Sequence, residues 1–142
     1  MKVFVDTNVL LDVLANRHPF YDDAAEIWTL SEQGKIEAFV SAVSFTNVFY
    51  IVRKLMSRSV AVKATRQLTN VFSIAACNEN VIQEALDLDL KDFEDAVQLV
   101  SAVHTRSVSL ITRNPSHFPV DLIPILTPAE FLAQDQIQKL IG

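Results

Sequence analysis

The stretch Val3-Phe4-Val5-Asp6-Thr7-Asn8-Val9 decides the fold: a short apolar run ends in a carboxylate and two small polar residues, and a second apolar run begins at Val9. Consecutive apolar residues that include two β-branched valines read as a buried strand, predicted here over residues 2 to 6. In open α/β sheets ligands bind in the crevice beyond the carboxyl ends of the strands, so Asp6 stands where chemistry is concentrated. A carboxylate directly after a buried strand is costly unless its charge is compensated, which gives Asp6 the strongest claim in the chain to a functional role.

Outward from this strand the pattern alternates. A helix is predicted from about Val9, closed by Asn16 to Pro19, and a second over Asp22 to Gln33, with Ala25, Ile27, Trp28 and Leu30 at helical spacing and Gly34 as its stop. Ala38 to Ala42 reads as a second buried strand, and Ser44 is predicted to cap a helix beginning at Phe45. Phe45, Val48, Phe49, Val52, Leu55 and Met56 form a stripe for packing on the sheet. Asn47, Tyr50 and Ile51 lie on the other side, apolar enough to call for a second cover such as a partner subunit. Residues 60 to 70 predict a helix, Val71 to Ala75 a strand and Glu79 to Leu86 a short helix. Asp92 opens a long helix whose stripe of Phe93, Ala96, Val97, Val100 and Val103 runs to about His104. Val108 to Ile111 predicts a strand ending in Thr112-Arg113-Asn114-Pro115, and Ile123 to Leu126 an edge strand. Thr127 caps a last helix with Pro128 at its first position. Strands alternating with helices predict an α/β fold of three layers, α/β/α, around a mostly parallel sheet of four to five strands.

Composition sets limits on function. The 142 residues, 50% of them hydrophobic and 20% charged, suffice for one domain spanning residues 1 to 142 with a core of its own. No repeat or linker interrupts it, and only Gly34 and Gly142 are glycines. A single cysteine, Cys77, forms no internal disulfide and no metal-type Cys/His spacing, so a reducing, cytoplasmic setting is expected. Asp6 and Asp12 interrupt any signal-peptide pattern, and Ala42 to Val52 is too short and too polar to span a bilayer, so no membrane role is expected. The net charge of −5 argues against general nucleic-acid binding, but its distribution does not. Between Glu37 and Glu79 there is no acid, while Arg53, Lys54, Arg58, Lys63 and Arg66 all fall there, so one face can attract phosphates while the rest repels them.

The residues gathered at the strand ends and helix starts are Asp6, Asn47, Asp92, Asp95 and Asn114. Asp92 and Asp95 open a helix, where peptide dipoles favour ionised carboxylates. Oxygen ligands of this kind suit hard divalent cations, and Mg²⁺ is commonly held by one or two carboxylates plus waters and substrate phosphates. Asp92 and Asp95 also have capping spacing, Asn114 before Pro115 is an ordinary turn residue, and Asn47 in mid-helix can serve as a simple hydrogen-bonding group. His18, His104 and His117 have no mutual spacing that suggests a site and read as structural or surface residues.

Four local motifs, in order and in register over nearly the whole chain, resemble the PIN domain, in particular small prokaryotic PIN proteins related to toxins of VapBC-type toxin-antitoxin pairs. They are Val5-Asp6-Thr7-Asn8-Val9-Leu10-Leu11-Asp12, Ser41-Ala42-Val43-Ser44, Asp92-Phe93-Glu94-Asp95-Ala96, and Ile111-Thr112-Arg113-Asn114 followed by Phe118. The resemblance implies a ribonuclease dependent on Mg²⁺ or Mn²⁺, often a homodimer, and, for a toxin, a small antitoxin whose helix or tail covers the acidic cleft. Asp6 would be the first family acid and Asp95 the third, with Asp92 as a further metal ligand and Asn8 and Thr112 in support. Arg53, Lys54, Arg58, Lys63, Arg66 and Arg113 would contact RNA.

Two positions depart from the family pattern. Asn47 stands where the second acid, usually Glu, is expected, and Asn114 stands at the fourth acidic position. An amide ligates through its oxygen but brings no charge, so a one-metal or weakly metal-binding site is expected unless Asp92 or Glu94 substitutes. The same two asparagines keep open a second reading, a PIN-like module that binds RNA or a protein without cleavage. An Asp-nucleophile phosphotransferase of the haloacid dehalogenase type is disfavoured, because Asn8 occupies the place of its second Asp and Arg113 is the only cation near the fourth strand.

Overall fold

The computed structural model describes residues 1–142, in the order β1 (Lys2–Val5), α1 (Thr7–Leu14), α2 (Tyr21–Glu32), β2 (Glu37–Ser41), α3 (Ala42–Leu55), α4 (Arg58–Val71), β3 (Ser73–Ala75), α5 (Glu79–Leu88), α6 (Phe93–His104), β4 (Leu110–Ile111), β5 (Ile125–Leu126), α7 (Pro128–Ala133) and α8 (Asp135–Ile141). The five strands form one sheet in the order β3-β2-β1-β4-β5, and every pairing is parallel. The chain builds outward from β1 through β2 to β3, then returns to the other side of β1 for β4 and β5. The strand order therefore reverses at β1, and crevices form at such switch points beyond the strands' carboxyl ends.

The period-two alternation of β1 explains the three layers. Val3 and Val5 belong to a core with residues of α1, α2, α3, α4, α7 and α8, whereas Phe4 packs with Leu99 and Ala102 of α6, Leu110 and Phe118. A third apolar cluster joins α5 and α6 through Val81, Ala85, Ala96, Val97 and Val100. No helix is long and apolar enough to cross a membrane.

Several boundaries differ from the sequence reading for local reasons. Helix α1 begins at Thr7, because Asp6 leaves the strand in extended geometry and serves as the residue before the first turn. Ser41, not Ser44, caps α3: it ends β2 in extended geometry and its Oγ accepts from the Val43 N–H at 3.2 Å. Ser44 thus falls inside the first turn and is fully buried. The apolar stripe of α3 overruns the core, since Val48 and Val52 are buried while Leu55 and Met56 are exposed. The last helix breaks at Gln134, whose ψ of 137° is extended, into α7 and α8. Gly34 ends α2 as expected, with a φ of +71° that side-chain-bearing residues rarely adopt.

Candidate active site

Asp6 is 5% exposed, and both of its oxygens are held. Oδ1 accepts from Gln98 Nε2 at 2.8 Å, and Oδ2 accepts from Thr112 Oγ1 at 2.7 Å. Thr112 Oγ1 itself accepts from the Asn114 N–H at 3.0 Å, which leaves its own proton for Asp6. Gln98 Oε1 accepts from the Thr7 N–H at 3.2 Å. Thr7 Oγ1 donates to Glu94 Oε1 at 3.1 Å and lies 2.6 Å from Ser44 Oγ, so with its single proton given to Glu94 the serine is the donor of that second bond. The first turns of α1, α3 and α6 are thereby tied together, and three positive helix ends face a cluster of acids.

Asp95 has a side chain only 14% exposed. Burial first, then the neighbouring charges of Asp6, Asp92 and Glu94, push its carboxyl up to about 6, against a smaller opposing effect of His117. His117 Nδ1 lies 3.6 Å from Asp95 Oδ2. Beside this pair opens a cavity of about 560 Å³ lined by Lys91, Asp92, Asp95, Ser116, His117 and Pro119. Asp92 fulfils its capping role, accepting from the Asp95 N–H at 3.2 Å through Oδ1.

The remaining sequence candidates fall into three groups. Asn114 joins the site through its backbone N–H, and Asn47, half-buried, lies one turn beyond Ser44 on the same side of α3. Asn8 Oδ1 is buried without a hydrogen-bonding partner. Arg53, Lys54, Arg58, Lys63 and Arg66 are all exposed on α3 and α4, the first three around the turn between them. At about 1.5 Å per residue, Arg53 and Lys54 stand roughly 15 Å along α3 from Ser44. Arg113, expected to contact RNA, lies against Asp12 and Phe20. Its Nε is 2.6 Å from Oδ2 of the buried Asp12 and its guanidinium lies 4.2 Å over the Phe20 ring.

The sequence reading missed Gln98, Thr7, Ser44, Asp12 and His117. A glutamine inside the apolar stripe of α6 and an acid inside the run Val9 to Leu14 were the available signals, since polar groups at core positions need partners.

The donor set fits one hard divalent cation better than several. No three His, Cys, Asp or Glu side chains are gathered into a ready ligand set. Burial first, and then the charge of Asp6, nevertheless raise Asp95, a stress that a cation between carboxylates relieves. Asp6 and Asp95, with Asp92 at the edge, are the oxygen donors that could hold a hard divalent cation.

Residues 2–116 match the PIN domain family. The chain is 25% identical over 135 residues, 92% of each chain, to Ribonuclease VapC1 of Aquifex aeolicus (strain VF5). Its fold is similar to that of a toxin-antitoxin complex from Klebsiella pneumoniae (TM-score 0.67, 22% identity, 89% of this chain and 97% of that one). It is also similar to VapBC2 of Rickettsia felis bound to a promoter DNA fragment (TM-score 0.70, 14% identity, 88% and 97%). With the all-parallel sheet, the strand-end Asp6 and the match over residues 2–116, this chain belongs to the PIN domain family.

Proposed function

We propose that this protein is a divalent-ion-dependent endoribonuclease, the toxin of a toxin-antitoxin pair. The observation that carries the reading is the pairing of Asp6, fixed at the switch point of the sheet, with Asp95, whose carboxyl is raised by burial and then by the acids around it. A bound Mg²⁺ or Mn²⁺ supplies activation of water and neutralisation of charge on the leaving oxygen. Asp6 and Asp95 hold the ion, Thr112 and Gln98 orient Asp6, and Asn47 and Asn114 add neutral polar groups. The exposed cations of α3 and α4 draw in the RNA backbone. The name of the Aquifex relative and the folds of toxin-antitoxin assemblies support the activity and a small antitoxin partner. Action in the cytoplasm and assembly as a homodimer belong to the same reading.

The absence of a ready set of three acids favours one alternative, a module that binds RNA without cutting it. Cleavage of labelled single-stranded RNA with Mn²⁺, with Mg²⁺ and with EDTA separates the two. Ion-dependent cutting that vanishes in Asp6→Asn and Asp95→Asn, and weakens only in part in Asn47→Ala, establishes the nuclease. RNA binding without cutting under either ion establishes the module, and full activity in Asp6→Asn overturns the site.

A further inference from the structure

We propose that Gln98 is a positioning residue that sets the orientation of Asp6 and its register with Asp95, an inference that rests on the metal-dependent reading above. Gln98 is 1% exposed on α6, in a stretch of the helix buried all round, with Ala96, Val97, Leu99 and Val100 as its neighbours. An amide in such a place is costly to desolvate, and an apolar side chain would pack there more cheaply. Both of its polar ends are used on the site. The Thr7 N–H is able only to donate, so the atom facing it at 3.2 Å is the amide oxygen, which turns the amide nitrogen to Asp6 Oδ1 at 2.8 Å.

The two contacts fall on consecutive residues, the side chain of Asp6 and the first peptide of α1. Gln98 therefore grips the end of β1 and the start of α1 together. With Thr112 holding the other oxygen, the Asp6 carboxylate is fixed against rotation. Gln98 lies one turn after Asp95, so the same contact docks α6 at the height that brings Asp95 beside Asp6. Ligand carboxylates held by outer hydrogen bonds of this type commonly lose about tenfold or more in ion affinity or activity when the outer partner is removed.

The test compares Gln98→Met, of similar size and unable to make either bond, with Ser101→Ala. Ser101 is equally buried on α6 but bonds only to its own helix, at Val97 O. Mn²⁺ affinity is measured by calorimetry and RNA cleavage by steady-state kinetics, with circular dichroism as the check on folding. In Gln98→Met, Mn²⁺ affinity is expected to fall about tenfold or more, with kcat falling alongside it and KM for RNA changing by less than about threefold. Ser101→Ala is expected to leave all three unchanged. A folded Gln98→Met that binds Mn²⁺ as the unaltered chain does, or that loses no more than Ser101→Ala, overturns the proposal. If the unaltered chain binds Mn²⁺ but cuts no RNA, the nuclease reading fails while the affinity ratio still decides the role of Gln98. No Mn²⁺ binding by the unaltered chain overturns both.

A second measurement covers a variant that fails to fold. In the unaltered protein, Mg²⁺ is expected to shift the Gln98 side-chain amide resonances while leaving those of Gln138, bonded to Leu132 O on the far helices, in place. Unmoved Gln98 resonances overturn the proposal.

Discussion

Arg113 Nε stands 2.6 Å from Asp12 Oδ2, which ties the residue after Thr112 to α1 through an acid that is 0% exposed. Burial raises the Asp12 carboxyl, opposed first by Arg113 and then by Arg17. Removing one partner of a buried pair leaves a charge uncompensated, which costs about 3–5 kcal/mol. Arg113→Ala is therefore expected to lower the urea midpoint strongly, and pairing it with Asp12→Leu to recover much of the loss. An Arg113→Ala protein that keeps its stability but loses RNA affinity would instead make Arg113 a phosphate contact.

Asp95 sets the pH response of the ion-free protein. Its carboxyl rises from the ordinary value of 3.8 to about 6, so the folded state holds this proton more tightly than the unfolded state does. The associated stability is fully present below about pH 4 and is lost as pH rises through 6, amounting to at most roughly 3 kcal/mol. Asp95→Asn removes the titration. Thermal melts in EDTA are expected to show the variant gaining several degrees over the unaltered protein at pH 7.5, with the difference vanishing near pH 4. Mn²⁺ is expected to stabilise the unaltered protein at pH 7.5 and not the variant. Equal pH dependence in the two proteins would show that Asp95 is not crowded.

The legible parts of the molecule were those that a short local pattern specifies. Val3 to Asp6 names a buried strand and its terminal acid, Gly34 the left-handed end of α2, and Thr127-Pro128 the start of α7, which closes in a capping box with Glu130. The start of α3 was not legible because Ser41 and Ser44 are both competent caps, and the predicted strand ran to Ala42, one residue past the last pair of β2, Ser41 with Ala75 of β3. Gln98, Thr7 and Ser44 meet Asp6 or one another across separations of 37 to 92 residues, and no local spacing encodes such contacts. His117 read as a surface residue, and it is largely exposed, but the turn after Asn114 brings its ring to Asp95.

Thr112 offers a clean separation of hydrogen bonding from packing. Its hydroxyl is fully buried, donating to Asp6 Oδ2 and accepting from the Asn114 N–H. Thr112→Val keeps the shape and leaves both partners unpaired, at a cost of about 1–3 kcal/mol for each buried group. Cleavage is expected to fall by about tenfold or more. Thr112→Ser restores the hydroxyl and is expected to cut nearly as the unaltered protein does. If valine keeps full activity while serine loses it, the methyl packing and not the bond to Asp6 is what matters.

The cations at the α3–α4 turn are expected to govern RNA affinity without touching the chemistry. Arg53 and Lys54 close α3, roughly 15 Å along it from the first turn where Ser44 meets Thr7, and Arg58 opens α4, all three exposed. On a single strand each phosphate contact contributes about 0.7 to the slope of log affinity against log salt. Replacing all three with alanine is expected to reduce that slope by up to about 2 and to raise KM at low salt. The kcat at saturating RNA should stay within about twofold, because none of the three approaches Asp6 or Asp95. A slope equal to that of the unaltered protein would mean that the RNA follows another path to the acids, and the cavity lined by Lys91, Ser116 and His117 would then be the surface to mutate next.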